Sequence, residues 1–149
     1  MATRRANSSA ASKAEPSTTR VTKPSSRASR APTTRPDVVI YVFGEDPYAE
    51  FRGDLSTLDF RPGDTADLDA LRRLKADGIP VVSVFLSGRP LWVNPHLNAS
   101  DAFIAAFLPG SQAGALADLL FTDGMGRAVH DFTGRLGFSW PEYADQYLL

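Results

Sequence analysis

The chain has 149 residues with 16 Lys or Arg, 17 Asp or Glu and no cysteine. That length suits one domain and little more; the lack of cysteine excludes disulfides and thiolate metal sites, and no apolar run is long enough for a transmembrane helix. The near-neutral total conceals a division of charge. Residues 1–36 hold eight basic side chains against one acid, Glu15, which leaves 8 basic and 16 acidic residues from Asp37 onward.

The first 36 residues are mostly Ser, Thr, Ala and Pro, with Met1 and Val21 as their larger aliphatics. Such a stretch buries too little apolar surface to offset the entropy of ordering it, so it is expected to be a disordered tail. It lacks aromatic interleaving and a helical pattern, so no nucleic-acid partner is expected despite its positive charge. Its basic start is not followed by an apolar core of the kind a secretory signal carries, and the compartment is left open. No membrane association is expected.

From Asp37 the pattern becomes that of a packed domain spanning 37–149. Val38 to Phe43 is a continuous apolar, β-branched run ending at Gly44, which suits a strand buried on both faces. A polar loop runs from Gly44 to about Gly63. Asp64 is a candidate helix N-cap, with Leu68, Leu71 and Leu74 at helical spacing, Lys75 in the last turn and Gly78 as the stop. Val81 to Leu86 forms a second buried-strand pattern, and Leu91-Trp92-Val93 is either a short strand or the start of a helical turn. Ala102 to Phe107 is the third strand. Pro109-Gly110-Ser111 opens a helix in which Ala113, Leu116, Leu119 and Leu120 share a face, ending near Gly124, and a last short strand is expected around Leu136 to Ser139. Strands alternating with helices imply βαβ units: an α/β fold with a mostly parallel open sheet flanked by helices in three layers. Four or five strands make a thin sheet, expected to be incomplete at its N-terminal edge.

Ligands of open α/β sheets bind beyond the carboxyl ends of the strands. Three loops occupy that edge here. Gly44 to Asp54 carries Glu45, Asp46, Glu50 and Asp54 together with Arg52; Leu86 to Pro90 carries Arg89; Leu108 to Gln112 opens the last helix. On composition alone the first loop is equally a solvated turn. Arg89 could orient a carboxylate or a sugar hydroxyl, or form a surface ion pair. Trp92 and Trp140 are expected in the core or at an interface rather than stacked on a sugar. His96 and His130 have no ligand partner at metal-binding spacing, and neither a dinucleotide or P-loop fingerprint nor a nucleophile elbow occurs. No metal and no cofactor is expected.

Four ordered stretches together resemble glycoside hydrolase family 3, in its β-glucosidase and exo-glucan hydrolase branch. They are Gly44-Glu45-Asp46-Pro47-Tyr48-Ala49-Glu50 with Gly53-Asp54; Phe85-Leu86-Ser87-Gly88-Arg89-Pro90-Leu91; Ser100 to Ser111; and Gly134 to Pro141. The resemblance covers Val38 to Pro141 and implies the family's C-terminal α/β sandwich, which pairs with an N-terminal (β/α)8 barrel carrying the nucleophilic Asp. It implies a β-linked glucoside or glucan as substrate. The acid/base role falls on Glu50, with Glu45 as second choice, and Tyr48, Arg52, Asp54 and Arg89 become candidate substrate contacts. The tail stands where the barrel, its linker and a first βα unit would be, so the chain is expected to be a truncated piece, inactive alone. A non-catalytic carbohydrate- or partner-binding module using the same loops is the alternative. Phe51-Arg52 and Phe107 depart from the family's usual small residues and Trp.

Overall fold

The structure is a computed structural model that describes residues 34–147. The expected tail lies almost wholly outside the described residues. Three strands form one sheet in the order β1-β2-β3: β1 is Val39–Gly44, β2 is Val81–Leu86 and β3 is Ala102–Phe107. Both pairings are parallel, with Val39 opposite Val81 and Val82 opposite Ala102. The helices are α1 (Ala66–Ala76), α2 (Asn94–Asn98) and α3 (Ala115–Leu120), with a 3-10 turn at Gly110–Gln112.

Period-2 alternation of the strands divides the apolar residues between two faces. On one face α1 packs Leu68 and Leu71 against Val81 and Ala99, with Tyr41 and Leu74 beside them. Next to it, Phe43, Phe60, Phe85, Leu91 and Val93 form the second part of the core, joined by Phe103 and Trp140. The rings of Phe43 and Phe85 lie 5.3 Å apart, and Phe60 meets Phe85 edge-on at 5.1 Å. Both crossover helices lie on this face, as right-handed connections between strands laid down in sequence require.

Helix α1 starts one residue later than its acidic signal suggests. Thr65 is the N-cap, and the Asp64 carboxylate accepts the Ala66 amide at 3.0 Å. Asp67 and Asp69 lie in its first turn and Arg73 and Lys75 in its last, matching the helix dipole, and Gly78 ends it with φ +66°. Trp92 pairs with Asp59 as an isolated parallel bridge just before α2. Thus Leu91 to Val93 serves as both a short extended piece and a helix entry.

Three expectations are corrected. The run from Val38 to Phe43 is not buried on both faces: Val38, Ile40 and Val42 are 49%, 36% and 57% exposed, because both crossover helices lie against the opposite face. The helix beyond Pro109 is broken into a 3-10 turn and the six residues of α3, separated at Ala113-Gly114 and ended by the extended Phe121. No strand forms at Leu136 to Ser139; that segment is exposed, with Gly134 and Gly137 loosening it and no neighbour pairing with it among the described residues.

His96 on α2 is buried against the Phe43 ring (5.2 Å, stacked) and Phe60 (5.5 Å), and its Nδ1 has no hydrogen-bond partner among the described residues. Burial lowers its pKa below the usual 6.5, against the opposing pull of Asp67 and Asp59. The unfolded chain therefore takes up this proton first. The contribution to stability is complete above about pH 6.5 and is lost as pH falls towards the lower folded value, at no more than about 1.4 kcal/mol per pH unit. Urea melts from pH 7.5 to 5 check this: the midpoint of the chain falls through this window, and His96→Phe flattens the fall. An unchanged slope in the variant would place the acid sensitivity elsewhere.

Candidate functional site

All three expected loops meet at the carboxyl edge of the sheet. Gly44, at the end of β1, has no room for a side chain, since a Cβ there would collide with the Leu86 carbonyl oxygen of β2. This close approach delivers Glu45 directly over the turn that follows β2. Its carboxylate is then fully engaged. Oε1 accepts both Arg89 Nε at 3.0 Å and Arg89 Nη2 at 2.9 Å, and Oε2 accepts the Ser87 hydroxyl at 3.0 Å and the Gly88 amide at 3.3 Å. The two side chains are only 13% and 22% exposed. A two-pronged guanidinium–carboxylate pair in such surroundings is among the stronger polar contacts a protein makes.

Arg89 does more than neutralise Glu45. Its Nη1 donates to the Gly53 carbonyl at the far end of the first loop, and its guanidinium lies 4.2 Å from the centre of the Tyr48 ring. Tyr48 in turn fills the space beside Gly53 and Gly88, where a Cβ would approach its ring at 2.9 Å in the first case and its hydroxyl in the second. The loop is therefore folded around Arg89. Asp46, in contrast, is almost fully exposed, with Arg61 at 3.7 Å. Arg61 anchors the other flank: it donates to the Gly44 carbonyl at 2.8 Å and to Asp67 at 3.2 Å, and Asp67 also accepts the Tyr41 hydroxyl at 2.9 Å. Burial and then Asp67 push the Tyr41 pKa up to about 12, so the phenol stays protonated as a donor.

The tip of the first loop is a turn closed by backbone bonds from Arg52 to Glu50, Gly53 to Ala49 and Asp54 to Phe51. Phe51 sits there with φ +66°, a left-handed conformation unusual for a bulky residue, and is 85% exposed. Beside it, Glu50 is exposed and makes no side-chain hydrogen bond or ion pair within the described residues. Arg52 and Asp54 are likewise exposed, with no side-chain partner in this part of the chain. A cavity of about 360 Å3 opens against the loop, lined by Tyr48, Arg52, Leu55, Asp59, Arg61 and Arg89 among others. Glu50 and Asp54 do not line it.

Of the six residues singled out from the sequence, the fold brings Glu45, Tyr48 and Arg89 into one locked unit. Arg52 joins them at the cavity wall, and Glu50 and Asp54 stand on the exposed side of the loop. Ser87, Gly88 and Gly53 were missed as contributors; the small residues flanking Arg89 were the available signal. Both tryptophans make contacts within the domain. Trp92 Nε1 donates to the Glu142 carbonyl at 3.0 Å, and Trp140 packs against Phe107 with ring centres 6.5 Å apart. Among the described residues no group of three His, Cys, Asp or Glu side chains could hold a metal ion, and no helix is long and apolar enough to cross a membrane.

The molecule is thus an open parallel α/β domain whose polar site lies at the carboxyl edge of its strands. The model of the glycosyl hydrolase family 3 C-terminal domain matches residues 4–149, and the chain belongs to that family. It is 36% identical over 107 residues to a lysosomal beta glucosidase of Dictyostelium discoideum, across 70% of this chain and 12% of that protein. It is 32% identical over 111 residues to a periplasmic beta-glucosidase of Salmonella typhimurium, across 74% of this chain and 14% of the relative. Among solved structures, an exo-1,3/1,4-beta-glucanase from a Pseudoalteromonas species superimposes with a TM-score of 0.75 at 58% identity, covering 77% of this chain and 14% of that one. The chain therefore spans about one eighth to one seventh of the length of these relatives.

The locked unit yields a stability prediction. Removing Arg89 as Arg89→Ala strands the Glu45 carboxylate and should cost about 2–4 kcal/mol in urea unfolding. Replacing both partners, Glu45→Leu with Arg89→Met, should cost clearly less than the two single losses added together. Simple additivity in that cycle would mean the pair does not organise the loop.

Proposed function

We propose that this domain supplies the general acid/base of a retaining glycoside hydrolase acting on β-linked glucosides or glucans, and that Glu50 is that group. The observation that carries the choice is the contrast within one loop. Two Arg89 N–H groups and the Gly88 amide donate to the oxygens of Glu45, with Ser87 Oγ also within hydrogen-bond distance, so the carboxylate is committed to structure rather than to a substrate. Glu50 is exposed on the same loop and has no side-chain partner among the described residues. Glu45 and Arg89 then act as positioning residues with Tyr48, while Arg52 and Asp54 are available to sugar hydroxyls.

A retaining mechanism needs two carboxyl groups about 5–5.5 Å apart, one to attack the anomeric carbon and one to protonate the departing oxygen. In the first step the Glu50 proton passes to the glycosidic oxygen as the C–O bond breaks and the nucleophilic carboxylate closes on the anomeric carbon. In the second, the Glu50 carboxylate takes a proton from water as water displaces the enzyme ester. The nucleophile comes from the (β/α)8 barrel of the whole hydrolase and is not supplied by this domain. Alone, the chain lacks half of a unit whose members work together, and it should not turn over substrate.

The test is a hybrid in which residues 39–147 replace the matching segment of the Pseudoalteromonas exo-glucanase. Glu50→Gln should lower kcat on oligosaccharides roughly a hundred- to ten-thousand-fold. The loss should be much smaller in the glycosylation step of aryl glucosides whose leaving group needs no proton. Full activity of the Glu50→Gln hybrid, or hydrolysis by the isolated chain, contradicts the proposal.

A further inference from the structure

The tip of the first loop holds a large apolar ring that the domain does not use. Phe51 is 85% exposed, more than any other large apolar side chain among the described residues; Met125 follows at 80%. It belongs to neither part of the core. Its backbone is also unfavourable. The Arg52 amide donates to the Glu50 carbonyl at 2.8 Å, closing a three-residue turn around Phe51, and φ +66° at the centre gives that turn its rare, strained form. Two further bonds lock the tip, from the Gly53 amide to the Ala49 carbonyl at 3.1 Å and from the Asp54 amide to the Phe51 carbonyl at 3.2 Å.

Neither backbone preference nor packing accounts for this residue. Glycine takes a positive φ without strain, whereas a bulky side chain resists it. Within the described residues the ring gains no burial that would offset the strain. Strained positions without a packing reason cluster at sites of binding and catalysis. Phe51 follows Glu50 directly in the chain. Arg52 comes next; it is exposed and lines the cavity of about 360 Å3 beside the loop.

We infer that Phe51 is the platform for the leaving sugar, its ring stacked on that sugar's apolar face; the inference rests on Glu50 as the acid/base. An acid that protonates the glycosidic oxygen stands on the side of the departing group, because that oxygen leaves with it. The residue joined to the acid in one closed turn therefore lies nearer the leaving sugar than the sugar under attack. In a β-linked glucose the ring substituents are equatorial, so the hydroxyls crowd the rim and each face presents C–H groups. A flat ring without a polar atom fits such a face. Arg52 supplies donors for the rim hydroxyls, the usual pairing of an apolar wall with a few polar contacts. Specificity follows. A sugar leaving group gains a contact that a small alcohol cannot make.

In the hybrid with the Pseudoalteromonas exo-glucanase, kcat/KM is compared for a β-1,3-linked glucose disaccharide and for methyl β-glucoside. Both leaving groups need a proton, but only the first has a ring to stack. Phe51→Gly should lower the disaccharide-to-methyl ratio about tenfold, and Phe51→Trp should keep or raise it. Glu50→Gln should depress both substrates together, so the two assignments fail separately. A fully active Glu50→Gln hybrid whose ratio still falls with Phe51→Gly overturns the acid and leaves the sugar contact standing. An unchanged ratio in Phe51→Gly overturns the inference, as does an equal loss on both substrates, which assigns the ring to contact with the rest of the hydrolase. Urea unfolding of the whole chain separates a role in the fold. The Phe51→Gly midpoint should match or exceed the parent's, because glycine relieves the left-handed strain. A clear fall means the ring serves the fold, and overturns the inference.

Discussion

The ion pair between Glu45 and Arg89 is the constraint on which the rest of the site depends. It joins the loop after β1 to the turn after β2, two segments 44 residues apart in sequence. Through the Gly53 carbonyl and the Tyr48 ring, Arg89 also fixes the returning limb of the first loop. An eleven-residue acidic loop would otherwise be mobile. Held at both ends, it can keep one free carboxyl group at a defined place, which is what proton transfer to a reacting bond demands. The left-handed Phe51 at its tip is the strained position that such a closed turn imposes.

Much of this was legible in the residues, for identifiable reasons. The runs at Val81 and Ala102 are almost wholly apolar, so their strands were evident, and Gly78 marked the helix end plainly. The acidic loop at the strand ends was also apparent. What could not be read was the division of labour within it. Glu45 and Glu50 are identical in type, and only the proximity of β1 to β2 at Gly44 and Leu86 decides which of them meets Arg89. That is a tertiary fact with no local signature.

The failures share a cause. The run from Val38 to Phe43 signalled burial on both faces, and the segment from Leu136 to Ser139 signalled a strand. Both signals report apolar residues that need a neighbour, without saying whether the neighbour lies in this chain. Within the described residues Val38, Ile40, Val42, Leu136 and Phe138 all remain at least a third exposed. Their apolar character produced both signals, and within the described residues it is not buried.

The central claim is that Glu45 organises the loop and Glu50 is left free. Carbodiimide labelling of the native chain, read by mass spectrometry, tests it directly. Glu50 should couple an added amine rapidly, whereas Glu45 should stay protected until Arg89 is replaced by Ala. Equal labelling of Glu45 and Glu50 in the native chain would contradict the account.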